Sequence, residues 1–259
     1  GALKLEEVVE KAYLGDDVAA ELKQNRKAIM KVLAVEMVKR LATVENIPKL
    51  IEFAHRELGE KNVMLFFKDT ALQNIVAGVK WDGTVNTNWN NDYLMLVDAN
   101  LGGLKTDYYI QRSLNYTVDF TGEKPLATLV QTYKNTAPGR DWRTNDYHTY
   151  LRAYVPLGSR YLERSMINAV LTDENLGKTY FGGFVDVEIG QSDVPTTLKY
   201  ELPDTIREEG YQLLLQKQSG VGTIPVMITL KRKDGTVVTQ NVDLRKDLIL
   251  SFQEVDEKK

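Results

Sequence analysis

Apolar residues recur along this chain with two different periods, and the change falls within Asp92–Asp107. Before that stretch the spacing is helical. Leu5, Val8, Val9, Ala12 and Tyr13 fall on one face of a helix that ends at Gly15. Asp16 or Asp17 can cap a second helix reaching about Thr43, with Leu22, Ile29, Leu33, Met37 and Leu41 as its apolar stripe. Its polar side carries Lys23, Arg26, Lys27 and Lys31, read as a solvated face. A third helix begins at Asn46, holds Pro48 in its first turn and stops at Gly59. Leu50, Ile51, Ala54 and Leu58 are expected to face a core. Val63–Phe67 is a continuous apolar run, as expected for a strand buried on both faces. Asp69 or Thr70 caps a short helix carrying Leu72, Ile75 and Val76. The polar segment Trp81–Asn91 turns at Asp82-Gly83, and Tyr93–Val97 is expected as another buried strand.

After that stretch the period is two. Strands are expected over Tyr109–Phe120, Leu126–Tyr133, Tyr150–Val155, Ser159–Ser165 and Thr179–Ile189. They continue over Thr196–Leu202, Tyr211–Lys217, Pro225–Lys231, Thr236–Val242 and Leu248–Val255, with Asp234-Gly235 as a hairpin turn. Turns about every 8–14 residues fit a β-sandwich. The expected fold class is therefore α+β. A helix-rich α/β portion over residues 1–104, the C-terminal end of a larger domain, precedes an immunoglobulin-like antiparallel β-sandwich over 105–259.

Composition narrows the function classes. A chain of 259 residues can bury a sizeable core. The formal net charge of -3, with both signs mixed, offers no electrostatic reason to expect nucleic acid. The absence of cysteine excludes disulfides, thiolate metal sites and cysteine nucleophiles. No apolar run approaches the ~18–20 residues needed to span a bilayer.

Candidate chemistry is sparse. Gly102-Gly103-Leu104-Lys105-Thr106 has the flavour of a phosphate loop but lacks its spacing, and a strand follows it. The two histidines, His55 and His148, belong to no recognisable nucleophile–base arrangement. Asp82, Asp92, Asp98 and Asp107 could supply a two-carboxylate hydrolase. Asp82 and Asp98 have a simpler reading as turn and strand-end residues. A calcium site at Asp98 and Asn100 lacks the required density of ligands. No catalytic residue, cofactor or metal ligand is assigned. Trp81, Trp89, Tyr93, Tyr108 and Tyr109 either form a platform for sugar rings or seal a joint between two domains, the joint being preferred. Gly102 and Gly103, with Asn100, are read as backbone requirements, and Lys105 and Asp107 as a pair across that joint. Trp81, Asp82, Trp89 and the Asp98–Asp107 stretch are thus the interdomain or ligand-facing candidates.

Three blocks carry a family resemblance: FFKDTALQNIVAGVKWDG, then DYLMLVDANLGGLKTDYYIQRSLNYTV, then YLRAYVPLGS. With Lys217-Gln218-Ser219-Gly220 they resemble, in order and spacing, a bacterial family of large surface proteins known only as a domain of unknown function. The resemblance covers most of Asn62–Gly220. Asp98, Asn100, Gly102, Gly103, Lys105 and Asp107 match the family stretch by position. It implies an extracytoplasmic body, a membrane anchor upstream, and an upstream half distantly similar to the LytR-CpsA-Psr envelope phosphotransferases. The expectation that follows is a non-catalytic structural or interaction module at the bacterial surface, its partner a cell-wall glycan or another surface protein. The alternatives are a fragment of an envelope-polymer transferase or hydrolase with its catalytic half upstream, and a carbohydrate-binding module.

Overall fold

The computed structural model describes residues 47–191 and 193–252. The first two expected helices and their basic cluster lie outside the described residues. Among the described residues, α1 (Ile47–Gly59) and α2 (Thr70–Gly78) come first. Twelve strands follow: β1 (Asp92–Asn100), β2 (Ile110–Asp119), β3 (Leu126–Asn135), β4 (Tyr147–Pro156), β5 (Arg160–Ser165) and β6 (Asn168–Asn175). The rest are β7 (Lys178–Val187), β8 (Val194–Glu201), β9 (Gln212–Leu215), β10 (Ile224–Lys231), β11 (Val237–Leu244) and β12 (Leu248–Ser251). Neither helix is long and apolar enough to cross a membrane.

The strands form two six-stranded sheets, ordered β12-β9-β1-β4-β7-β6 and β11-β10-β2-β3-β8-β5. One apolar cluster takes Leu94, Leu151 and Phe181 from the first sheet and Tyr116, Leu129 and Ile228 from the second. This is a β-sandwich. Period-two alternation builds it: on β2, Ile110, Leu114, Tyr116 and Val118 are buried while Gln111, Ser113 and Asn115 face solvent. Aromatic rings bridge the sheets, Phe181 lying 5.2 Å from Tyr200 and Tyr133 lying 6.4 Å from Tyr147. Each such fully buried large side chain is worth about 1.5–3 kcal/mol over leaving it in water.

Several expectations need correction. The sheets are mixed, because β1 pairs with β9, and β2 with β10, in parallel. Alternation determines which face a strand buries, but not its neighbour or direction. Tyr93–Val97 does not close a preceding domain. It lies in β1, inside the first sheet between β9 and β4. The division placed after Leu104 therefore falls within the sandwich. Val63–Phe67 forms no strand. Its one ladder-like bond runs from the Leu65 N–H to the Trp81 carbonyl (2.9 Å), and Phe66 is 79 % exposed. An apolar run becomes a strand only when a neighbouring backbone satisfies its N–H and C=O groups. On α1, Leu50, Ile51 and Ala54 are exposed and Leu58 half-buried. On α2, Asp69 is the N-cap, its carboxylate accepting the Leu72 N–H.

Edge strand β6 was not expected. No face of it is buried, so it carries no periodicity to read.

Candidate functional site

Strand β1 carries the polar chemistry of the interior. Residues 92, 94, 96 and 98 share the face turned between the sheets, so Leu94 and Leu96 enter the core flanked by two carboxylates.

Asp98 is the hub of the first cluster. Its carboxylate accepts from Arg112 Nε (2.7 Å), the Tyr133 hydroxyl (2.7 Å) and Gln131 Nε2 (3.3 Å). Arg112 also donates through Nη2 to Asp107 (2.6 Å) and to the Tyr147 hydroxyl (2.9 Å), which in turn donates to Asp107 (2.7 Å). The Asp98 side chain is 3 % exposed. Burial works against the Arg112 charge, but Asp98, Tyr147 and Asp107 outweigh it and hold the guanidinium pKa above its ordinary value. Burial, reinforced by Asp98, pushes the Tyr133 hydroxyl well up, so it remains a donor. Asp98 belongs to the first sheet and Arg112 to the second, so the ion pair crosses the sandwich.

Asp92 is the second carboxylate. It is fully buried and accepts from Tyr211 (2.6 Å), Tyr116 (2.8 Å) and its neighbour's Tyr93 N–H (2.8 Å). Tyr200 donates on to Tyr116 (3.1 Å). Unlike Asp98, it has no cation among these partners. Burial lifts its pKa to about 6 against the three hydrogen bonds that pull the other way. Burial and the Asp92 charge in turn hold Tyr116 and Tyr211 well above the usual phenol range.

The predicted candidates fall into three places. Asp98 and Asp107 meet through Arg112. Asn100, Gly102 and Gly103 form the turn leaving β1: Asn100 accepts the Gly102 N–H (3.0 Å) and donates to the Leu104 carbonyl (2.9 Å). Positive φ occurs at Gly103 (65°) and not at Asn100 or Gly102, which narrows the backbone argument to one residue. Lys105 stacks over the Trp142 ring at 5.7 Å, while Asp107 pairs with Arg112. The stretch is therefore the crossover from one sheet to the other, and not a joint between domains. Replacing Gly103 with Val is expected to cost about 1–2 kcal/mol in a denaturant melt, because a side chain must then occupy the left-handed region. Equal stability of variant and wild type would contradict this.

Trp81, Asp82 and Trp89 lie elsewhere. Asp82 accepts from the Thr84 N–H and hydroxyl, a local turn as expected. Trp89 donates through its indole to the Asp92 carbonyl (2.6 Å) and, with Val85, packs on the outer face of the first sheet over Tyr93, Tyr154 and Leu214. Trp89 is a cover for the sheet. Gln216 holds the cover down, accepting from Tyr93 and the Asn86 N–H and donating to the Thr84 carbonyl (2.7, 3.1 and 2.8 Å). Beside it lies a cleft of about 680 Å³ lined by Lys80, Asn86, Asn88, Gln216 and the Lys61–Asp247 ion pair (2.8 Å). Within Lys217-Gln218-Ser219-Gly220, the Gln218 amide bonds both the N–H and the carbonyl of Asp98 (2.9 and 3.0 Å), prolonging the β9–β1 pairing with a side chain.

Sequence reasoning passed over Arg112 and Trp142. Arg112 had a legible signal, being a charge on the buried phase of β2. Trp142 is 60 % exposed on a loop tied by Arg140–Asp146 contacts (2.9 and 2.8 Å) and by Asp141, which accepts the Arg143 and Thr144 N–H groups. Those N–H bonds, the Arg143 one foremost, hold the Asp141 pKa down at about 2. His148 sits 2.6 Å from Asp186 on an exposed face. Among the described residues no group of three or more histidines and carboxylates is placed to hold a metal ion. No family model, curated protein or solved structure matches the chain.

Proposed function

We propose that this chain is a non-catalytic structural or interaction module, with an immunoglobulin-like sandwich, of an extracytoplasmic bacterial surface protein. What carries the reading is how the reactive-looking groups are used. Asp92, Asp98 and Arg112 are buried and hydrogen-bonded to partners inside the core, where they hold two sheets together. The extracytoplasmic location rests on the family resemblance of the sequence. A surface partner, a cell-wall glycan or another surface protein, would find Trp142 exposed on its loop with the cations of Lys105 and Arg143 near its ring.

Incubation of the chain with a polyprenyl-linked glycan tests the non-catalytic reading. No turnover is expected, and turnover would overturn it in favour of an envelope-polymer transferase or hydrolase. Titration with cell-wall oligosaccharides identifies the partner class. A tryptophan fluorescence change that Trp142→Ala abolishes assigns a glycan, and a flat titration removes the glycan reading.

A further inference from the structure

We propose that β11 docks a second copy of this chain, the two β11 strands pairing antiparallel about a two-fold axis at Gln240. This gives the interaction module above a partner and rests on that reading. Its test is separate, since glycan turnover would remove the module reading without touching a sedimentation result.

Among the described residues the sheets end in four edges, β12, β6, β11 and β5. An open edge offers unpaired N–H and C=O groups to any extended segment, and proteins blunt such edges by shortness, bulges or charge. Three of the four are blunted. β12 has only four residues. β6 breaks register between Asn168 and Leu171, with Ala169 at φ 47°, and carries Asp173 and Glu174. β5 breaks register between Tyr161 and Glu163 and carries Arg160, Glu163 and Arg164. β11 is blunted least, its one charge, Asp243, lying next to its last residue. Its eight residues keep unbroken register with β10, and Val237–Val242 contains no charge. Val238 and Val242 sit partly buried at the rim of the core, where a further strand would cover them.

The choice of a second copy follows from the sequence of the edge. Residues directly opposed in an antiparallel ladder both face the partner or both face away. A strand paired with its own copy therefore opposes residues of equal parity. The register centred on Gln240 sets Val238 against Val242, Thr239 against Asn241, and Val237 against Asp243, with no like charges opposed. It carries on into the flanking turns, where exposed Asp234 of one copy meets exposed Lys246 of the other. The edge can thus pair with its own copy without opposing like charges, with Asp234 near Lys246 at each end.

Sedimentation velocity of the whole chain over a concentration series tests this. A reversible dimer is expected. Thr239 and Asn241 are exposed, on the solvent side of the strand, and oppose one another in the dimer. Thr239→Lys combined with Asn241→Lys sets lysine against lysine twice and is expected to weaken association about tenfold or more. Thr239→Lys combined with Asn241→Glu sets lysine against glutamate twice and is expected to keep or tighten it. Circular dichroism melts check that both variants fold. Should the lysine pair not fold, dissociation of the lysine–glutamate variant would by itself overturn the proposal. A wild-type monomer at every concentration would overturn it, as would equal dimerisation of the two variants.

Discussion

Asp98→Ala is expected to cost about 3–5 kcal/mol of folding stability, the range for removing one member of a buried ion pair. The substitution leaves the Arg112 guanidinium in the interior with its strongest partner gone, and it strips the Tyr133 hydroxyl and the Gln131 amide of their acceptor. Asp107 remains beside Arg112, but its side chain is 40 % exposed, so its pull is screened. Charge is what makes the loss large. Replacing both partners with apolar residues of similar size, Asp98→Leu with Arg112→Met, removes the stranded charge and is expected to recover much of the stability. Urea melts of the two single variants and the double variant form a cycle that isolates the pair. A loss below about 1 kcal/mol for Asp98→Ala would mean that the cross-sheet pair does not hold the sandwich.

Asp92→Asn is expected to act in the opposite sense. The Asp92 carboxyl titrates at about 6 in the folded chain, against an ordinary value of 3.8. A raised folded value means that the native state holds the proton more tightly than the unfolded one. The contribution is therefore fully present below about pH 4 and is lost as pH rises through about 6. Two pKa units correspond to roughly 3 kcal/mol. At pH 7 the wild type carries that penalty, because a carboxylate is ionised beside tyrosine hydroxyls with no cation among its partners. Asparagine offers one accepting oxygen to Tyr211 and Tyr116 and no charge. The variant is thus expected to be more stable than wild type at pH 7, and about equal to it near pH 4. Melting temperatures measured from pH 4 to 8 would show the wild type falling towards pH 6 and the variant staying flat across that window. Parallel curves for the two proteins would contradict the assignment.

Both results concern one strand, and they show why part of this molecule was hidden. On β2 the alternation of Ile110, Leu114, Tyr116 and Val118 made the buried face readable, and Arg112 stood on it as a charge out of place. On β1 both faces are covered, the inner by the second sheet and the outer by Trp89 and Val85. Apolar residues then occupy both phases, and Asp92 and Asp98 could be read as strand ends as easily as buried hubs. Trp89 was legible as a sealing aromatic, but what it seals was misplaced. It covers an outer sheet face and not a domain joint.

Local chemistry was determined by the sequence alone. Period-two patterning placed the strands from β2 onward, apart from β6, while Asp69 marked a helix start and Asp234-Gly235 a hairpin. Each depends only on residues within a few positions of one another, where propensity and side-chain spacing act. Tertiary structure decided what depends on residues far apart. It brought β9 alongside β1, and β10 alongside β2, in parallel pairs separated by more than a hundred residues. It drew β1 into the sandwich, left Val63–Phe67 without a ladder partner beyond one bond to Trp81, and joined Asp98 to Tyr133 and, through Arg112, to Tyr147. The reason is physical: a strand's pattern states which face it must bury, while the backbone that satisfies its hydrogen bonds is chosen only when the whole core closes.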